Sequence, residues 1–320
     1  MTMKALYAAA AFAMFCAPAA AVSLTFTTFQ QKAKGYSPIG SSKVVEDPII
    51  EFTNVAQENG LTIDARVTAT TIKPNTDFGG GGKGGSGAAG DSGYLPNFTD
   101  ELSQPSDDLG FLFYGNGING GENGVTFLFE FFDGTGLNSA TYTSPVDVAV
   151  LEFAIYDVDG EADRSEFFRA YKADGLKSYQ LGSGAQALSV TDLGDAVLFE
   201  GSGKNFDELD ATGAAILVYE DTRAFTLDFG SVQTGGPSQN PVFTAFDGNI
   251  SLFKKTDFAA PVGAGDAAFP GGGAGVSASV VPLPGGLALL PAALGTLILL
   301  RRRRSDAAAA AARGLSLRAA

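Results

Sequence analysis

The chain has no His and no Trp, and its 320 residues include a single Cys. Without an imidazole, a Ser-His-Asp triad, a Cys-His pair and a His-ligated zinc are all excluded. One Cys excludes a disulfide within the chain. Positive charge is scarce as well: 21 Lys+Arg stand against 35 Asp+Glu, a formal charge of −14. A nucleic-acid surface needs a basic face to neutralise phosphates, so a nucleic-acid partner is not expected. What the chain does have is 42 Gly and 25 Phe, in a length that suits one or two domains.

Both ends look like addresses. Residues 1–21 follow the layout of a secretory signal: Lys4 as the charged start, an apolar run from Ala5 to Ala17, and Ala19-Ala20-Ala21 as a small-residue cleavage site before Val22. Cys16 lies inside this segment, with Met14-Phe15 before it instead of the small residues a lipoprotein anchor needs. At the other end, Val281 to Leu300 is an uncharged apolar stretch of about bilayer-spanning length. Arg301, Arg302, Arg303 and Arg304 follow at once. Arginines beside a span stay cytoplasmic, which puts everything before Val281 on the outer side of the inner membrane.

Val281-Pro282-Leu283-Pro284, an apolar helix and an Arg cluster together resemble the C-terminal sorting signals of the PEP-CTERM type, in the VPLPA-CTERM variant. The resemblance is confined to residues 281–304. It implies an exosortase, a membrane-embedded cysteine protease, as processing partner. It also implies surface attachment or release, alongside exopolysaccharide. Gly285 stands where the pattern has Ala, and the chain runs on through residues 305–320, a cytoplasmic tail on this reading. Physically, Pro282 and Pro284 hold the backbone extended, the form a protease cleft accepts.

Between the ends, residues 22–258 read as an all-β ectodomain. Leu61, Ile63, Ala65, Val67 and Ala69 alternate with Thr62, Asp64, Arg66, Thr68 and Thr70, which makes one buried and one wet strand face. Val125 to Phe131 and Phe225 to Phe229 alternate in the same way. Further strands are expected at residues 24–28, 49–55, 111–114, 148–156, 166–171, 188–191, 196–200, 214–219 and 250–253. Many short strands with one apolar face, and Asp-Gly pairs at Asp133, Asp159 and Asp247, predict an antiparallel β-sandwich or jelly roll. Phe fills its core in place of Trp. Residues 79–93 read as a Gly-rich loop. It is not a phosphate loop, because Gly84 follows Lys83 where Ser or Thr is needed. Residues 259–280 read as a Gly/Ala/Pro stalk.

The densest acidic cluster is Asp157, Asp159, Glu161, Asp163 and Glu166. Alternating carboxylates at a strand end suit a hard cation, and calcium is the cofactor they suggest. An EF-hand is excluded, since Ala162 and Phe168 stand where its loop needs Gly and Glu. The competing reading is a solvated acidic turn. A glycosidase pair needs two carboxyls roughly 5 to 9.5 Å apart across a cleft, and a chain this acidic supplies such pairs by chance. Tyr114, Tyr142, Tyr156 and Tyr171 are the residues left to serve as sugar platforms. Residues 22–284 carry 14 Lys+Arg and 34 Asp+Glu, a formal charge of −20, which keeps an exported domain soluble. The sequence therefore predicts a displayed, non-catalytic surface or matrix protein, with a surface-displayed carbohydrate-active enzyme as the alternative.

Overall fold

Strand after strand in this chain carries a row of Phe on one side, and such rows are satisfied only by a second sheet laid over the first. The computed structural model describes residues 21–31, 49–74, 76–78, 93–99, 105–115, 121–161, 163–183, 188–207, 210–233 and 241–264. In chain order the strands are β1 (Phe29–Gln31), β2 (Ile49–Glu58), β3 (Leu61–Ile72), β4 (Thr76–Asp77), β5 (Gly93–Thr99) and β6 (Pro105–Gly115). Then come β7 (Glu122–Asp133), β8 (Val148–Tyr156), β9 (Gly160–Glu161), β10 (Arg164–Tyr171), β11 (Leu176–Leu181) and β12 (Leu188–Asp192). The last are β13 (Ala196–Gly201), β14 (Ala215–Thr222), β15 (Ala224–Gln233), β16 (Pro241–Asp247) and β17 (Val262–Gly263).

They form two antiparallel sheets. Sheet one runs β1-β2-β3-β7-β15-β10-β13-β12 with β9 on β10; sheet two runs β17-β11-β14-β8-β16-β6-β4 with β5 on β6. Among the described residues no helix is long and apolar enough to cross a membrane. The expected signal peptide, the sorting motif and its arginines, and most of the Gly-rich loop and stalk lie outside the described residues.

The core is a Phe stack between the sheets. Phe127, Phe129 and Phe131 of β7 and Phe225 and Phe229 of β15 meet Phe111 of β6, Phe153 of β8, Phe246 of β16 and Tyr219 of β14, all buried. Phe153 and Phe246 stack at 4.3 Å, and Phe225 of the opposite sheet lies 5.2 Å from Phe153. Offset stacking of this kind adds to the area that each ring buries.

Two segments expected as strands are not strands. Residues 24–28 form a stitch between the sheets. Leu24 and Phe26 donate their amides to Gly248 and Asp107 of sheet two's side, while Thr25 donates to Val55 of β2. Their apolar side chains are buried, which is why the pattern reads as a strand, but the partners alternate between layers and no ladder forms. Residues 250–253 bend instead over the outer side of sheet two. There Phe253 and Phe258 cover Ala154, Tyr156, Ile216 and Ala245 in a second, smaller apolar cluster. Buried Asp247 fixes this flap, its carboxylate accepting the amides of Asn249 at 3.1 Å and Leu252 at 3.2 Å. Asp247→Ala leaves those amides unmatched; it should cost about 1–3 kcal/mol and open residues 249–258 to limited proteolysis before the sandwich melts.

The folded body also extends past the expected start of the stalk. Ala259 donates to the Leu181 carbonyl, Val262 pairs with Tyr179, and Ala264 is buried. Likewise Gly93, placed in the Gly-rich loop by its composition, opens β5 opposite Leu112.

Candidate functional site

Sheet two hands the chain to sheet one through residues 157–163. Asp157 takes a left-handed φ of 59°, a conformation Asp tolerates, and Gly160 has φ 113°. A Cβ on Gly160 would sit 2.3 Å from the Arg164 carbonyl, and one on Gly201 would sit 2.1 Å from the Asp159 carbonyl. Both glycines are therefore needed for the backbones to approach this closely.

The turn sets two carboxylates of the acidic cluster, Glu161 and Glu166, against Arg164. Arg164 is buried, and its Nη2 donates to Glu166 Oε1 at 2.9 Å. Glu161, largely exposed, lies 4.0 Å from the same nitrogen. Asp159 holds main chain: its carboxylate accepts the amides of Gly160 and Phe206, the latter at 2.6 Å. Asp163 stays half-buried in the turn. Among the described residues no three carboxylates converge as a metal ion requires. In the geometry described, the cation that the cluster's carboxylates face is the Arg164 guanidinium.

Burial pushes the Glu166 carboxyl well above the usual range; Arg164 and the Asp159 amide pull it back, while Asp159 and Asp157 push it further. Burial also raises Asp159 against the pull of Phe206, Gly160 and Arg164. Asp174 and Asp247 are raised for the same first reason, opposed by backbone amides. Each of these four binds its proton more tightly folded than unfolded. Their penalty is absent below the ordinary carboxylate range and grows as pH rises through it and through the native value. Glu122 runs the other way, because Arg169 and Lys73 outweigh its burial. So do Asp133 and Asp192, but these lie in solvent, where screening makes their share small. The melting temperature should therefore be higher near about pH 5 than near about pH 8, which thermal unfolding across that range will check.

The residues that sequence reading missed sit beside Arg164 on the inward face. Across β7, β15 and β10 the register pairs Asn123 with Ser231, Ser231 with Glu166, and Gln233 with Arg164. Asn123, Ser231 and Glu166 each stand two positions along their strands from an inward residue, with Gln233 and Arg164 two positions further on: Val125, Phe229 and Phe168 are themselves direct partners in the register and belong to the core. The apolar interior thus ends in a buried polar row, Asn123, Ser231 and Glu166, with Gln233 and Arg164 behind it. Among the described residues, Arg164 Nε and Nη1, Asn123 Nδ2 and Ser231 Oγ have no protein hydrogen-bond partner. The sequence signal was the alternation itself, which continues in polar letters past each Phe strand.

On the opposite face of the same strands lies a charged ladder. Glu122 joins Lys73 and Arg169, Arg169 Nη1 is 3.6 Å from Asp228, and Tyr171 donates to Asp228 at 2.9 Å. Arg169 covers the Phe167 ring at 4.5 Å. The Tyr171 hydroxyl is pushed up to about 12, by burial first and then by Asp228. Of the other tyrosines considered as sugar platforms, Tyr156 is buried and donates to Asp108 at 2.8 Å, and Tyr142 packs edge-on against Phe132. Asp64 accepts the amides of Asn54 at 2.8 Å and Ala140 at 2.9 Å. The buried carboxylates Asp64, Asp108, Asp159, Asp228 and Asp247 thus each accept hydrogen bonds that hold the fold.

No family model matches the chain, and no curated protein matches it. Among solved structures it resembles the N-terminal domain of the Streptococcus gordonii adhesin Sgo0707, at 9% identity and TM-score 0.40. That match covers 71% of this chain and 62% of the other. The adhesin domain of PrgB from Enterococcus faecalis, bound to DNA, matches at 15% identity and TM-score 0.34, over 63% of this chain and 68% of that one. The glucan binding protein C of Streptococcus mutans matches at 9% identity and TM-score 0.36, over 76% and 81%.

Proposed function

We propose that the chain is an exported, surface-displayed, non-catalytic β module, sorted through residues 281–304 by an exosortase-type enzyme into the cell surface or extracellular matrix. One observation carries the reading. A secretory start, a Pro-containing motif, an apolar span and a four-Arg stop all flank a body whose formal charge is −20. Such a charge keeps a displayed domain soluble and apart from anionic lipid. The commitment of the buried carboxylates to main chain, tyrosine and arginine agrees with a role in which they hold the fold. Exopolysaccharide is the contact that surface display would offer.

The test follows the chain's mass and location in bacteria with and without the sorting enzyme, beside a variant lacking residues 281–304. The expected result is a processed surface form in the first strain and a full-mass inner-membrane form in the second. The deletion variant is expected in the medium. Identical mass and location in both strains would overturn the sorting reading.

A further inference from the structure

We propose that β12 is a self-pairing edge, through which two copies of this chain join their first sheets into one continuous sheet. A strand at the end of a sheet presents unpaired amides and carbonyls, and natural sheets blunt such ends with short strands, prolines, charges or bulges. Among the described residues, sheet one ends in β1 and β12, and sheet two ends in β17 and in β4 and β5 along β6. β4 and β17 have two residues each and β1 has three. β5 carries Pro96 and shifts register on both sides of Phe98. β12 has none of these guards. Its five residues, an ordinary strand length, keep an unbroken register from Leu188 opposite Gly201 to Asp192 opposite Val197. Its one charge, Asp192, sits at the strand end and is held by Lys172 at 2.7 and 2.8 Å.

Backbone direction and side-chain chemistry then choose a second copy. Leu193 donates to the Ala196 carbonyl at 2.9 Å, so the hairpin closes on a hydrogen-bonded pair. Alternation along the ladder makes Thr191 with Leu198, and Ser189 with Glu200, the next such pairs. Leu188, Val190 and Asp192 therefore turn their amides and carbonyls to the open side. A second β12, run antiparallel about Val190, meets them in kind: Val190 faces its own copy, Ser189 faces Thr191, and Leu188 faces Asp192. No like charges oppose each other, and Ser189 and Thr191, both exposed, form the hydroxyl pairs that favour such contacts. Val190, half-buried against the rim of the core, is covered from its open side. Net charge points to the same edge. Two bodies of −20 repel each other, and residues 178–191 contain no charged side chain, so contact through β12 brings the fewest carboxylates together. The two-fold operation uses up the edge, and the assembly closes at a dimer. This pairing rests on the fold alone; display on a surface would raise the effective concentration of the copies.

The full chain, carrying Cys16→Ser and held in a zwitterionic detergent, is followed by sedimentation over a range of concentrations. A concentration-dependent dimer is expected, with more of it at about 0.3 M than at about 0.03 M salt, because screening shortens the reach of the repulsion. Ser189→Lys together with Thr191→Lys sets Lys against Lys at two positions of the joint. This variant should dimerise at least about tenfold more weakly, with its melting temperature unchanged because both side chains are exposed. Cysteines read the register. Ser189 and Thr191 of the two copies would form a pair without backbone hydrogen bonds, about 4.5 Å between Cα atoms, which a disulfide can span. Chains with Ser189→Cys mixed with chains carrying Thr191→Cys should therefore cross-link in oxidised glutathione several-fold more than either alone. The proposal is overturned by a chain that stays monomeric up to about 0.1 mM, by less dimer at the higher salt, or by a lysine variant that folds and dimerises unchanged. Equal cross-linking of the mixture and of the single variants would overturn it as well. So would a dimer that survives the two lysines and vanishes when residues 281–304 are removed, since that contact belongs to the apolar span.

Discussion

Replacing Phe129 by Ala should cost the fold about 3–5 kcal/mol and lower the melting temperature by roughly 10 °C. Phe129 is fully buried on β7, between β3 and β15. Its ring lies 4.6 Å from Phe225 at 9°, 5.3 Å from Phe246 and 6.3 Å from Phe111. Phe225 belongs to the same sheet, whereas Phe246 and Phe111 come from the other, so the ring ties the two layers together. Truncation forfeits the transfer free energy of the ring and leaves a cavity that neighbours anchored in two hydrogen-bonded sheets can only partly fill. A domain of this size holds about 5–15 kcal/mol in all, so the loss is a large share. Leu137, 99% exposed, supplies the control: Leu137→Ala should change stability by less than about 0.5 kcal/mol. Denaturant unfolding of both variants checks the pair; a Phe129→Ala midpoint no lower than that of Leu137→Ala would contradict the packing account.

The ease with which the main core was read has one physical cause. A strand with one buried and one wet face writes period 2 into its sequence, and the alternation read at residues 61–70 lies within β3. Strands that lack this asymmetry left no such trace. In β16, Ala245 faces the small outer cluster and Phe246 the main core, so both sides are apolar and alternation vanishes. β11 slips register between Leu176 and Ser178, and a bulge breaks the period by one residue. β5 carries Pro96 beside the Gly-rich stretch, a composition that reads as loop.

The candidate site was legible only in its acidic half. Asp157 to Glu166 stood out because the carboxylates lie close together in sequence, and near neighbours at a turn can converge. Asn123 and Ser231 are more than a hundred positions apart and become neighbours only through the β7–β15 pairing. Pairing partners are chosen by the fold, not by local composition, so no scan along the chain finds them. The role of Arg164 was hidden for a related reason. Within the acidic run it reads as one charge among many, yet parity with Phe168 turns it inward, and burial makes its pairing with Glu166 obligatory.

That pairing sets the second large effect. Arg164→Met should destabilise the chain by about 3–5 kcal/mol near neutral pH, the usual cost of stranding one member of a buried ion pair. The packing volume is largely kept, so the loss is electrostatic: Glu166, 4% exposed, keeps the Asp159 amide but loses the guanidinium 2.9 Å away. Without the guanidinium its native pKa rises further. The linkage sign follows directly. A carboxyl with a raised folded pKa carries no penalty below the ordinary carboxylate range and a growing one above it. Arg164→Met should therefore approach wild-type stability as the pH falls toward about 4.5. Removing both charges, Arg164→Met with Glu166→Leu, should be neutral or stabilising at every pH, since neither desolvation cost remains. Denaturant unfolding of wild type, single and double variants at both ends of that range measures the cycle. Equal destabilisation of Arg164→Met at low and neutral pH would show that the arginine acts through packing alone, and the view of residues 157–166 as a carboxylate cradle for Arg164 would fail with it.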